Sequence, residues 1–209
     1  MKIVVFGASG RLGQKVVEQA LDVGYVVTAF VRTPAKLGIQ HQNLTVFQGD
    51  VTDVNVVKKA IAGQDAVISV LAPARPPVPG VMEIAAKNIV TGMQTYGIRR
   101  LVSTTGAGVR QPEDQPKLMD HFMSALLNLL AKEVVLDSAA NVKVIQSSDL
   151  DWTIVRFPRL MDGEQTGKYR VGYVGRDSGS QLSRSDGADF VLQELTEKKW
   201  IKKSPIVSY

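Results

Sequence analysis

Short apolar runs alternate along this chain with stretches whose apolar residues recur every three or four positions. Lys2-Ile3-Val4-Val5-Phe6 is β-branched and aromatic, the composition of a buried strand. Gln14 to Val23 follows, with Val16, Val17, Ala20 and Leu21 on one helical face. Further strands are predicted at Val26 to Val31, Leu44 to Phe47, Asp65 to Leu71, Arg100 to Ser103 and Asp151 to Phe157. Helical spacing returns at Asp53 to Ala62, where Asp53 can act as N-cap and Val56, Val57, Ala60 and Ile61 face inward. It returns again at Val81 to Tyr96, with Val81, Met82, Ile84, Ala85, Ile89, Val90 and Met93 as apolar positions. A long helical stretch runs from Leu118 to Ser148, with a possible break near Ser138. Four prolines between Pro73 and Pro79 demand an irregular loop, and Gln111 to Pro116 is a second one. Strands alternating with helices predict an α/β fold, a doubly wound parallel sheet with helices on both faces and ligands at the strand C-termini. No linker divides the chain, so residues 1–209 read as a single domain. From Met161 onward the pattern is less regular, with Tyr169 to Val174 strand-like and Ser185 to Leu195 helical. Residues 161–209 are expected to form part of a small substrate-side cap.

The first strand and first helix are joined by Gly7-Ala8-Ser9-Gly10-Arg11-Leu12-Gly13. A strand, a glycine-rich turn and a helix in that order make an anion site. The helix start presents unpaired N–H groups and partial positive charge, and glycines let a pyrophosphate approach the backbone. The spacing is G-x-x-G-x-x-G rather than the more familiar G-x-G-x-x-G. No Gly-Lys-Ser/Thr follows, which excludes a mononucleotide phosphate loop. A dinucleotide site on a Rossmann-type domain is the reading that uses both flanking elements, against a plain strand-to-helix turn.

The end of the second strand selects the cofactor. An acid there would bind the ribose 2′-hydroxyl and repel a 2′-phosphate. This chain has Phe30-Val31-Arg32-Thr33-Pro34-Ala35-Lys36, with no acid. Arg32 can grip a phosphate bidentately, Thr33 can donate its hydroxyl, Lys36 adds charge, and Arg11 can reach the same group. NADP(H) is therefore preferred over NAD(H). In Gly49-Asp50-Val51, Asp50 is either an acceptor for the adenine amino group, with Val51 covering the ring, or an ordinary turn aspartate. Leu71-Ala72-Pro73 would run beside the cofactor ribose and pyrophosphate.

Composition changes this picture little. The chain has 209 residues, 44% of them hydrophobic and 22% charged, as expected of a globular domain. Cysteine is absent, which excludes disulfides, a thiolate nucleophile and Cys-bound metal and suits a reducing cytoplasm. With only His41 and His121, no metal site is expected. The N-terminal apolar run is five residues long, so neither a secretion signal nor a membrane span is expected. The net charge of +5 is dispersed, apart from Lys198, Lys199, Lys202 and Lys203, which read as a solvated face rather than a nucleic-acid site. Met119, Phe122, Met123, Ala125, Leu126, Leu127, Leu129 and Leu130 cover more than one face of the long helix. They suit core, a homodimer contact or a lid over an apolar substrate; both monomer and homodimer stay open. His121 is either a proton donor or structural.

These motifs resemble those of an atypical short-chain dehydrogenase/reductase of the NAD(P)H-binding, NmrA-like branch, and among them flavin reductase (biliverdin-IX-beta reductase). The resemblance covers nearly the whole length. It rests on Phe6 to Gly13, Val31 to Leu37, Gly49-Asp50-Val51, Gly63 to Ile68, Lys87-Asn88-Ile89-Val90 and Asp151 to Pro158. It implies cofactor contacts from Gly7, Ser9, Gly10, Arg11, Leu12, Arg32, Lys36, Asp50, Val51, Leu71 and Ala72. It places the nicotinamide near Thr104-Thr105-Gly106 and Pro158-Arg159. The chain departs from that pattern in having no Tyr with a Lys four residues on; Ala139 precedes Lys143 by that interval. Gly106 and Arg159 stand where flavin reductase has a pocket serine and histidine.

Ketone chemistry needs a proton donor beside the hydride acceptor. A flavin or quinone need only be held flat against the nicotinamide, with solvent protonating the product. Thr105 and Arg159 are the candidate catalytic residues, able to orient such a ring or steady developing charge. The expected function is NADPH-dependent hydride transfer to a small planar acceptor. The alternative is a non-catalytic NADP(H)-sensing regulator, with an RNA-associated role a distant third.

Overall fold

The computed structural model describes residues 1–74, 76–117 and 131–209. In chain order these form β1 (Lys2–Phe6), α1 (Arg11–Asp22), β2 (Val26–Val31), β3 (Leu44–Gln48), α2 (Val54–Ile61), β4 (Ala66–Ser69) and α3 (Val81–Thr95). There follow β5 (Arg100–Gly106), α4 (Lys132–Gln146), β6 (Asp151–Phe157), β7 (Arg159–Met161), β8 (Arg170–Gly172), β9 (Gln181–Ser183), α5 (Arg184–Glu197) and β10 (Ile206–Ser208). The main sheet has the order β3-β2-β1-β4-β5-β6-β10-β8. It is parallel except for β8, which runs antiparallel to β10. β7 and β9 pair separately.

The strand runs are continuously apolar because both faces of the sheet are covered. Ile3 and Val5 face a core shared with Val16, Val17 and Ala20 of α1 and Ala188, Val191 and Leu195 of α5. Val4 and Phe6 point the opposite way, toward Val57 and Ile61 of α2, Ile89 and Met93 of α3, and Val142 and Ile145 of α4. Such burial on two faces is the doubly wound arrangement that the alternation predicts. The chain winds outward from β1 to β2 and β3, then returns to β4 on the other side. Phe6 is level with both Phe30 and Ser69, so a crevice opens where β1, β2 and β4 end together.

Several boundaries differ from expectation. α1 begins at Arg11, because Arg11 to Gly13 complete its first turn. β5 continues through Thr104, Thr105 and Gly106 alongside β6. The expected break near Ser138 is absent; α4 runs through it. The expected helical residues 118–130, His121 among them, lie outside the described residues. Ile84, one of the apolar positions of α3, is 42% exposed. Residues 159–209 supply the β7–β9 ribbon that leaves the end of β6, helix α5 against α1, and β10, which the sequence pattern does not predict. A buried ion pair fastens α5 to the sheet: Arg100 of β5 meets Glu194 at 2.9 Å, and Glu194 also accepts from the Thr153 hydroxyl and the Trp200 N–H.

Asp53 caps α2 as expected, accepting from the N–H groups of Asn55 and Val56 at 2.9 and 3.2 Å. Asp53→Ala is expected to cost about 1 kcal/mol, read as a lower urea midpoint with an unchanged slope. An unchanged midpoint would show that the cap contributes nothing.

Candidate functional site

The glycine turn is shaped by close backbone contact. Gly7 has φ +84°, and a Cβ there would stand 2.8 Å from the Val70 carbonyl oxygen at the end of β4. A Cβ on Gly13 would lie 2.1 Å from the Gly7 carbonyl oxygen. The first turn of α1 therefore rests directly on the loop before it. No side chain caps α1, and its first turn holds no acid. Its first N–H groups therefore have no side-chain partner, and their partial positive charge is not offset by an acid.

A second segment is tied beside this turn. The Gln14 side-chain amide donates to the Lys36 carbonyl at 2.9 Å and to that of Ser9 at 3.4 Å. The Gln48 amide donates to the Arg32 carbonyl at 3.4 Å. These bonds set the loop that carries Arg32, Thr33 and Lys36. Asp50 sits opposite, its Oδ1 accepting from the Thr52 N–H and hydroxyl at 2.8 and 2.7 Å. The two Thr52 bonds hold its carboxyl below the ordinary value; partial burial opposes them and the Arg32 charge assists. Asn88 of α3 donates to the Val51 carbonyl at 2.9 Å and fixes that residue over α2 and α3.

Between these segments lies a cavity of about 430 Å³. Of the residues singled out in the sequence, Gly7, Ser9, Gly10, Arg32, Thr33, Lys36, Asp50, Val51, Leu71 and Ala72 line it together. Phe30, Thr52, Val70, Ala74, Val78, Val81 and Met82 also line it, a role the sequence pattern does not assign them. Arg11 is exposed at the start of α1, Leu12 packs against the core, and Gly13 is buried beneath the turn. Pro73 is half-buried between two lining residues. Thr104 is buried, its hydroxyl 3.5 Å from the Ser69 carbonyl that accepts its proton. Thr105 is half-buried and pairs with Arg156, so it shares the C-terminal edge with Pro158 and Arg159. Arg159 is exposed, and its N–H donates to the Ser180 carbonyl at 3.3 Å. Thr104, Thr105, Pro158 and Arg159 thus lie at the same sheet edge but outside the cavity lining.

Beside that edge stands a charged group that sequence reasoning does not single out. Arg156 of β6 makes two bonds of 2.7 Å to Asp114, and the two side chains are 0% and 2% exposed. Asp114 also accepts from the N–H groups of Gln111 and Val174 at 2.8 and 3.1 Å. Burial pushes its carboxyl up, but the Arg156 and backbone bonds and the Arg156 charge outweigh this and hold it below the ordinary value. The pair joins three segments: the end of β6, the loop after β5 and the turn after β8.

Lys198, Lys199, Lys202 and Lys203 are all exposed. Lys199 pairs with Glu197, while Lys202 and Lys203 lie over the rings of Trp152 and Trp200. Among the described residues no three His, Cys, Asp or Glu side chains stand close enough to hold a metal ion. No described helix is long and apolar enough to cross a membrane.

The cavity, the uncapped helix start and the cations that line it suit an anionic ligand. Three comparisons bear on this arrangement. The Bacillus subtilis protein YwnB, itself uncharacterised, is 28% identical over 93% of this chain and 92% of its own length. A short-chain dehydrogenase/reductase of Veillonella parvula, solved in complex with NADP, shares the fold with a TM-score of 0.80 at 20% identity, over 100% of this chain and 94% of that one. ChuY, an anaerobillin reductase of Escherichia coli O157:H7, does so with a TM-score of 0.80 at 23% identity, over 100% and 97%. The NAD(P)H-binding family model matches residues 7–198, which include the glycine turn and every strand and helix that lines the cavity, and the chain belongs to that family.

Proposed function

We propose that this protein is an NADPH-dependent reductase that passes hydride to a flavin, quinone or similar planar acceptor. The observation that carries the cofactor half is the set Arg32, Thr33 and Lys36, lining the cavity at the end of β2 where no acid stands. The Veillonella relative holds NADP in the same fold. The site fits such a cofactor: Gly7, Ser9 and Gly10 line the cavity at the start of α1, which has no capping side chain and no acid in its first turn. When bound, NADPH supplies the hydride. The N–H groups of α1 would hold the pyrophosphate, and Arg32, Thr33, Lys36 and Arg11 would hold the 2′-phosphate. Asp50, kept ionised, accepts from the adenine amino group. The backbone of Leu71, Ala72 and Pro73 would border the ribose, and Thr104 and Pro158, at the same sheet edge, would border the nicotinamide.

The acceptor half rests on what the chain lacks. No Tyr-x-x-x-Lys pair is present, Ala139 is half-buried and Lys143 is exposed. A planar ring asks the protein only for position, and Thr105 and Arg159 supply polar contacts at that edge. ChuY, named as an anaerobillin reductase, is consistent with a planar substrate. The same absent pair favours one other reading, an NADP(H)-sensing regulator that binds without turnover.

The test is NADPH consumption against a panel of free flavins, quinones and linear tetrapyrroles, with NADH in parallel. Turnover above the buffer blank with at least one acceptor supports the reductase. Tight NADPH binding with no turnover across the panel leaves the regulator. Absence of NADPH binding removes both. Arg32→Ala is expected to weaken NADPH binding about tenfold by loss of a charge-assisted contact while leaving NADH within about twofold. Equal losses for both cofactors would mean that Arg32 does not meet the 2′-phosphate.

A further inference from the structure

Ala74, Val78, Val81 and Met82 form part of the cavity wall that also includes Arg32 and Lys36. Val81 donates to the Val78 carbonyl at 3.4 Å, but the segment leading to it has little backbone support of its own. Four of the seven residues from Pro73 to Pro79 are prolines and have no N–H. Among the described residues, no backbone-to-backbone hydrogen bond holds 71–77. Gly80, at φ +80°, precedes α3 and offers no capping side chain. The near end of this segment is fixed where Val70 donates to the Phe6 carbonyl.

The far end is held from another helix. Asp137 of α4 accepts from the Met82 N–H through Oδ2 at 3.2 Å, and from the Glu83 N–H through Oδ1 at 3.4 Å. Asn141, one turn later, donates to the Met82 carbonyl at 2.8 Å. Both side chains are buried, 9% and 3% exposed. One residue of the wall is thus bonded at both its N–H and its carbonyl by two side chains an i, i+4 step apart. A carboxylate at the α3 N-terminus also satisfies that helix's orphan donors and its dipole from within.

We propose that Asp137 and Asn141 are positioning residues for the cofactor, acting through Met82 to set the wall against which its adenosine half lies. The inference rests on the reading of the cavity as an NADP(H) site. It gives α4, which carries Ala139 and Lys143 at the Tyr-x-x-x-Lys interval, a binding duty rather than a proton-transfer one.

The test compares Asp137→Ala, Asp137→Asn and Asn141→Ala with the unaltered protein, well below their melting temperatures. The probes are NADPH, adenosine 2′,5′-bisphosphate and nicotinamide mononucleotide. Asp137→Ala and Asn141→Ala are expected to weaken NADPH and the bisphosphate about tenfold each, and the mononucleotide less than about twofold. Asp137→Asn keeps one acceptor oxygen and should recover to within about threefold. Equal losses for both fragments would indicate general structural damage and overturn the proposal. Unchanged bisphosphate binding in any folded variant that lacks the contact would also overturn it. If Asp137→Ala does not fold, the other two variants distinguish the same outcomes. Failure of the unaltered protein to bind NADPH would instead reject the cofactor reading itself.

Discussion

Gly13→Ala is expected to abolish measurable NADPH binding and to lower stability by more than about 3 kcal/mol, the upper part of the usual range for overpacking a core. The added Cβ would lie 2.1 Å from the Gly7 carbonyl oxygen and 2.9 Å from two backbone atoms of Ala8. None of these is the tip of a flexible side chain. Relief requires that the first turn of α1 move away from the end of β1. That motion pulls Gln14 from the Lys36 carbonyl and, on the proposed cofactor reading, displaces the N–H groups that would hold the pyrophosphate, so both anion contacts would fail together. A loss exceeding about a hundredfold in affinity corresponds to only about 2.7 kcal/mol, less than the strain to be relieved. Calorimetric titration and thermal melting measure the two effects. A folded variant that binds NADPH within about tenfold would show that the turn accommodates the methyl group and that Gly13 is not needed for the approach. Gly24→Ala is a useful contrast. Gly24 also has positive φ, but nothing lies within 4 Å of its would-be Cβ, so only backbone strain should appear and cofactor binding should be spared.

What is legible in the sequence follows from the range of the forces involved. β2 and β6 can be read with their observed limits because a run of β-branched and aromatic residues is a local signal. The glycine turn, Arg32, Lys36 and Asp50 are legible because each follows directly on a strand end, and the crossover rule brings strand ends to one edge. β10 is not legible. It is three residues long, follows Pro205, and is a strand only because β6 and β8 flank it. Asp137 and Asn141 are invisible for the same reason, since their partner Met82 is more than 50 residues away in the chain. Gln14 carries a faint local signal, an amide one turn into the helix after a glycine loop. Its target, the Lys36 carbonyl, cannot be read from one sequence. Thr105 and Arg159 stand out because they lie at or just after strand ends. That logic places them at the C-terminal edge of the sheet, where the structure has them.

Asp114→Asn is expected to cost about 3 to 5 kcal/mol at neutral pH, the cost of leaving one member of a buried pair uncompensated. With total stability of about 5 to 15 kcal/mol, this is a large fraction. Arg156 is 0% exposed, and no water can take over the two bonds that Asp114 makes. An asparagine is nearly the same shape but carries no charge, and its NH2 group would face a donor. By contrast, Lys15–Glu18 and Lys87–Glu83 are exposed pairs a turn apart on helices, for which about 0 to 1 kcal/mol is expected. The pH dependence provides the sharper discrimination. The Asp114 carboxyl lies below its ordinary value of 3.8 in the folded protein. A depressed folded value means that the unfolded chain takes up the proton first as pH falls. The contribution of Asp114 is therefore complete above the ordinary value and is lost as pH falls from there through the folded one. The stability gap between the unaltered protein and Asp114→Asn should be widest near pH 7 and narrow progressively below pH 4. Urea unfolding at a series of pH values measures it. A gap of constant size down to pH 3 would mean that shape rather than charge governs the site. A gap below about 1 kcal/mol at pH 7 would mean that the Arg156–Asp114 pair does not hold the three segments it joins.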